Sequence, residues 1–154
     1  MSFNFDKSLI KGKIAELVFE EMFHSQGRFE VLPNGYEYKA PEIAQNLQNL
    51  DKEYFARLRH QPDFILLSWD NKEKYLVEVK YESIKNESRI LETAKNLRNN
   101  YGPTFLFVAT PEAFYFASCA KIIENGYIEK LHENWIPEEV QQKYLKLLNE
   151  FISK

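Results

Sequence analysis

Asp63, Glu78 and Lys80 are the residues of this chain whose types and spacing suit a chemical task. Asp63 stands in the run Pro62-Asp63-Phe64-Ile65-Leu66-Leu67, and the other two lie in Tyr75-Leu76-Val77-Glu78-Val79-Lys80. Two strand-like apolar runs joined by Asp70-Asn71-Lys72-Glu73 predict a β-hairpin. Strand side chains alternate with a period of two, so Tyr75, Val77, Val79 and Tyr81 share one face and Leu76, Glu78, Lys80 and Glu82 the other. A carboxylate and an ammonium two residues apart on so apolar a strand suggest a metal site for phosphodiester hydrolysis. Hard cations such as Mg²⁺ prefer carboxylate, carbonyl and water oxygens and need few protein ligands. Asp63 and Glu78 on adjacent strands would hold one ion, and the backbone carbonyl of Val79 would supply a third oxygen. Lys80, beside the ion, would orient the attacking water and offset charge on the phosphate. The plainer reading is an exposed sheet face with a salt bridge between neighbouring strands. It prevails for an isolated Glu-x-Lys; a Pro-Asp on the preceding strand-like run is what tips the balance toward a site.

These residues resemble the PD-(D/E)xK nuclease superfamily, which includes restriction endonucleases and the archaeal-type Holliday-junction resolvases. Pro62-Asp63 matches the "PD" and Glu78-Val79-Lys80 the "(D/E)xK". Upstream, Gly12-Lys13-Ile14-Ala15-Glu16 is similar to the G-x-x-x-E that resolvase-like members carry on their first helix, where the glutamate reaches toward the metal. The resemblance covers roughly the first two thirds of the chain. It implies a catalytic set of Glu16, Asp63, Glu78 and Lys80, with Asp63, Glu78, Val79 and Glu16 around Mg²⁺, or Mn²⁺ as a substitute. It also implies an α/β (α+β) fold: a restriction endonuclease-like αβββαβ core with a mixed central sheet flanked by helices. DNA is the expected partner, the chain acting alone, as a homodimer or within a larger nuclease complex.

The elements that must position these residues follow from periodicity. Ser8 to Ser25 predicts a helix with an apolar stripe of Ile10, Ile14, Leu17, Val18 and Met22, capped by Ser8 or Asp6 and ended at Gln26-Gly27. Gly12 inside it costs about 1 kcal/mol relative to alanine, which suggests close approach of substrate backbone or of a neighbouring strand. Glu16 and Glu20 share a face of this helix, and without the downstream motifs each reads as a solvated carboxylate. Phe29–Leu32 predicts a strand, Pro33-Asn34-Gly35 a turn and Tyr36–Lys39 a return strand. Residues 41–59 predict a helical insertion, with Pro41 at its first position. It ends in Arg57, Arg59 and His60, which would either place positive charge beside the metal site or merely complement the helix dipole.

Beyond the hairpin, Asn86 is expected to cap a helix from Glu87 to Asn99 with Ile90, Leu91, Ala94 and Leu97 on its core face. Lys85 and Arg89 at its start are candidate DNA contacts, with a solvated face as the plainer role. Thr104–Ala109 and Ala113–Ser118 predict strands. Ala120–Asn125 predicts a short helical turn. After Pro137 a final helix carries Val140, Tyr144, Leu147, Leu148, Phe151 and Ile152, which either pack on the domain or form a dimer contact.

The 154 residues, 44% hydrophobic and 15% aromatic, fit a single globular domain over 1–154. The single cysteine, Cys119, excludes an internal disulfide and a cysteine-based zinc site. No apolar run is long enough to cross a bilayer and no signal peptide is evident, so a cytoplasmic location without membrane association is expected. The three histidines, His24, His60 and His132, lack ligand spacing, and no phosphate-cradling glycine loop is present. A net charge of −3 runs against the basic footprint usual for nucleic-acid binders. The leading function is therefore a Mg²⁺-dependent DNA endonuclease. The alternative is a non-catalytic nucleic-acid-binding or protein-interaction module that retains the nuclease fold, as in a subunit of a restriction, transposition or defence complex.

Overall fold

The alternation of strand residues sets the layers. The computed structural model describes residues 3–33, 62–70 and 72–152. The predicted return strand at 36–39 and helical insertion at 41–59, with Arg57, Arg59 and His60, lie outside them. Along the chain run α1 (Phe3–His24), β1 (Phe29–Pro33), β2 (Phe64–Ser68), β3 (Lys74–Tyr81), α2 (Glu87–Tyr101), β4 (Phe105–Ala109), β5 (Phe114–Ser118), α3 (Cys119–Asn125) and α4 (Glu138–Ile152). The strands form one mixed sheet in sequence order; β3 and β4 are parallel and the other pairs antiparallel. A parallel pair needs a crossover, and α2 supplies it.

Phe107 and Ala109 on β4, with Val77 and Val79 on β3, face α1 and α4. Leu106 and Val108, the alternate residues of β4, face α2 and α3. Among the described residues the fold is thus α+β, a five-stranded sheet between helices. The first core is strongly aromatic. Phe19 lies 4.7 Å from Phe23, 5.3 Å from Phe64 and 5.0 Å from Phe107 between ring centroids, and Trp135 closes the far end over Phe29 and Phe116. The second core joins Ile90, Ala94 and Leu97 of α2 to Ile122 of α3 and to Ile128.

Helix boundaries follow local chemistry. Asn86 caps α2, its side-chain oxygen accepting from Arg89 N–H at 3.0 Å. Gly126 takes the left-handed conformation that ends α3, φ 82°. The 119–125 segment is a true short helix, capped by Ser118. Two expectations for α1 fail. It begins at Phe3, so Ser8 and Asp6 lie inside it rather than capping it. Its buried face is Ala15, Val18, Phe19, Met22 and Phe23, with Ile14 packed alongside, whereas Ile10 and Leu17 point outward. The two large aromatics at 19 and 23 dominate the burial and rotate the helix so that Ile10 and Leu17 leave the core. An added Cβ at Gly12 would meet nothing within 4 Å, so no described strand requires glycine there.

The final helix packs on the first core through Leu145 and Leu148, with Val140, Tyr144 and Ile152 beside them. Leu145 was missing from the predicted stripe, and Phe151, included in it, is exposed. Buried Gln141 ties the preceding segment to α4 by donating to Leu131 O at 3.0 Å and Ile136 O at 2.9 Å. Among the described residues no helix is long and apolar enough to cross a membrane.

Candidate active site

The β2–β3 register pairs Phe64 with Val77, which sets Asp63, one residue earlier, beside Glu78. Asp63 ends the approach to β2 and uses its side chain to extend the ladder: Oδ2 accepts from Val79 N–H at 2.9 Å. The N–H and C=O of a strand residue face the same neighbouring strand, so the Val79 carbonyl also lies on the β2 side. On β3, Glu78 and Lys80 share the face opposite Val77 and Val79, in register with Leu106 and Val108 of β4. That is the face the alternation predicted.

Glu78 is nearly enclosed, its side chain 15% exposed, while Lys80 is 49% exposed. The Lys80 ammonium lies 3.2 Å from Glu78 Oε2. The other oxygen, Glu78 Oε1, is buried and meets no N–H or hydroxyl donor, so within the chain only a proton shared with Asp63 can satisfy it. Such an atom is costly in a folded protein unless something else satisfies it. Burial, and then the neighbouring Asp63 charge, push Glu78 up to about 8, against the pull of Lys80. Burial also raises Asp63, against the Val79 N–H, the contact with Glu78 and the charges of Lys80 and Lys13. The two carboxyls therefore hold a proton between them at neutral pH.

The donor set fits a hard divalent cation. Two carboxyls and a strand carbonyl are the oxygens Mg²⁺ takes, and it ordinarily keeps several waters besides. A cation would satisfy Glu78 Oε1 and relieve the repulsion that raises both carboxyls. The fit is to a pair of acidic ligands. Among the described residues no three His, Cys, Asp or Glu side chains gather around one point. Glu16 sits on α1, 3.7 Å from Lys13 Nζ, and does not join the pair.

The remaining predicted contacts are engaged locally. Lys85 pairs with Glu87 at 2.9 Å and lies 4.2 Å above the Tyr115 ring. Arg89 pairs with Glu82 at 3.0 Å. Lys13 is what sequence reasoning missed: its charge acts on Asp63 although it lies fifty residues away. The one available signal was its place next to Gly12 and one turn before Glu16. Cys119 is buried against Thr104, and burial raises its thiol, so it is no nucleophile. His132 is occupied in a local turn, its Nδ1 accepting from Asn134 N–H at 3.0 Å.

Comparison with known proteins gives no family to set beside this geometry: no protein-family model matches the chain, and no significant match was found among curated proteins or solved structures.

Proposed function

We propose that the protein is a Mg²⁺-dependent DNA endonuclease with a restriction endonuclease-like core, acting in the cytoplasm. The observation that carries this reading is the buried Glu78 carboxyl, set against Asp63 across the β2–β3 register and two residues from Lys80. A purely structural salt bridge has no use for a second acid crowding its buried carboxylate. The element order α1-β1-β2-β3-α2-β4 supports the proposed αβββαβ core.

In this reading Asp63 and Glu78 hold the ion, with the Val79 carbonyl as a further oxygen. The bound ion supplies charge stabilisation at the phosphate and lowers the pKa of water. The chain's own residues do the rest. Asp63 is fixed by the Val79 N–H, so its other oxygen is held in place before substrate arrives. Lys80, half-exposed at the rim, hydrogen-bonds the attacking water and offsets the negative charge growing on the phosphate. Glu16 and Lys13 stand on α1 as an ion pair; Lys13 adds positive charge near Asp63.

The test is cleavage of plasmid, branched and single-stranded DNA with Mg²⁺ or Mn²⁺. Lys80→Ala is expected to lower the rate at least about 100-fold while the fold is retained. A Lys80→Ala protein as active as wild type would remove the mechanism. The second reading, a binding module without catalysis, is favoured by one observation: the described residues bring two acids together rather than three. In that case DNA or protein binding would persist in Asp63→Asn and would not need a divalent ion.

A further inference from the structure

A second concave site lies on the α1 and α4 side of the sheet, away from the face that carries Glu78 and Lys80. The start of β5, the 130–133 segment and the first half of α4 frame a cavity of about 360 Å³. Its floor is buried and mostly apolar, made by Phe114, Leu131 and Leu145 of the first core. Every residue that lines it is described. It sits at the β5 edge of the sheet, whereas residues 34–61 leave from β1 and return at β2, at the opposite edge.

One polar side chain stands in that floor. Gln141 is 6% exposed, and its amide nitrogen donates to Leu131 O and Ile136 O. That commits both hydrogens and fixes which way round the amide lies. The amide oxygen is left over. No described residue donates to it, yet it is not sealed in the interior, so it opens on the cavity that Gln141 lines. A carbonyl oxygen in so buried a side chain calls for a donor. The charge of the rim is a second observation. Glu112, Glu133 and Glu138 are exposed there, three carboxylates against one ammonium, Lys130. None of the three is in an ion pair with a described residue. His132 adds no positive charge, because its Nδ1 accepts the Asn134 N–H, which an imidazolium cannot do.

We propose that this cavity binds an alkylguanidinium cation, the tip of an arginine side chain or a free small molecule of the same chemistry. The alkyl stem lies on Phe114, Leu131 and Leu145, as the stems of long cationic side chains lie on apolar surface. The planar guanidinium carries five N–H donors and no acceptor, so it donates to Gln141 Oε1 and to the rim carboxylates together. An ammonium suits the floor less well. It is a compact, strongly hydrated point charge and costs more to bring beside a buried amide. An anion has no donor for Gln141 Oε1 and is repelled at the rim. The cavity is of the size that takes one small ligand or one long side chain. It shares no residue with the candidate active site, so the inference does not depend on the nuclease reading.

Calorimetric titration of the full chain with butylguanidinium tests it, with butylammonium as the comparison. One saturable site with a Kd of about a millimolar or tighter is expected for so small a ligand. Butylammonium is expected to bind at least about fivefold more weakly. Nα-acetyl-arginine-methylamide separates the two sources. If it binds as tightly as butylguanidinium, the cavity takes an arginine carried on a polypeptide; if it does not bind, the cavity takes a free small molecule. Ala113→Leu adds bulk to the cavity from a half-buried position and is expected to abolish binding with little change in the urea denaturation curve. Glu133→Gln and Glu138→Gln, at exposed rim positions, should each weaken binding about threefold. The side-chain amide signals of Gln141 should shift in NMR spectra on saturation. No saturable binding well above millimolar concentration overturns the proposal. Equal affinity for butylammonium, binding that survives in a folded Ala113→Leu protein, or unmoved Gln141 signals overturn it equally.

Discussion

At the scale of single residues, the site is a conflict between two carboxyls that the backbone will not let separate. Asp63 is tethered by the Val79 N–H, and Glu78 is enclosed beside it with one oxygen that only a shared proton satisfies. The consequence is a pH dependence of known sign. Glu78 titrates near 4.5 when exposed and is pushed to about 8 in the fold. Between those values the folded chain binds more protons than the unfolded chain, so metal-free stability falls as pH rises from about 4.5 to about 8 and then levels off. Glu78→Gln keeps the shape and removes the charge. In EDTA at pH 8.5 it is expected to be more stable than wild type by roughly 1–3 kcal/mol, and close to it at pH 5, by urea denaturation. Equal stability at both pH values would mean that Glu78 ionises freely. Lys80→Ala acts differently: its loss should reduce activity while costing under about 1 kcal/mol of stability, because the ammonium is half in water.

At the scale of elements, α1 clamps the strands that carry the site. Phe19 is in ring contact with Phe64 on β2 and Phe107 on β4, so one side chain bridges the strand next to Asp63 and the strand next to Glu78. Phe19→Ala is expected to destabilise the domain by about 3–5 kcal/mol, through lost burial and a cavity the rigid sheet cannot close. The check is urea denaturation, together with Mn²⁺ titration at low denaturant. Site loss should track the fraction unfolded, since Phe19 lies on the opposite face of the sheet from Glu78. The same helix carries two candidate apolar stripes that spacing alone does not tell apart. Ile10, Ile14, Leu17, Val18 and Met22 and the actual face of Ala15, Val18, Phe19, Met22 and Phe23 both have helical spacing. Only the ring-to-ring packing of Phe19 and Phe23 with the sheet selects between them.

At the scale of the whole molecule, a net charge of −3 sits with a site that gathers negative charge and places lysines at its edge. Binding a divalent cation should therefore act on the entire fold. Millimolar Mg²⁺ or Mn²⁺ is expected to raise the melting temperature of wild type at pH 8.5 by a few degrees, in line with roughly 1–2 kcal/mol of linkage. The shift should shrink at pH 6, where the cation must displace a proton from the pair. Asp63→Asn and Glu78→Ala should show no saturable shift, and calorimetry with Mn²⁺ should agree. A wild-type shift that either variant retains would place the ion elsewhere.

The sequence by itself determined the hairpin, the two faces of β3, the strands flanking α2, and the placing of Glu78 and Lys80 on one face of β3 with Asp63 on the neighbouring strand. All of these rest on local rules: a strand alternates, a turn needs particular residues, Asn86 caps because its oxygen reaches an N–H three residues on. The tertiary structure decided everything that depends on what lies across space. It decided that Glu78 is enclosed enough to hold a proton near pH 8, that Lys13 lends its charge to Asp63, and that Ile10 and Leu17 face outward. Burial, field and helix rotation are set by neighbours distant in the chain, and the spacing of residues along it carries no record of them.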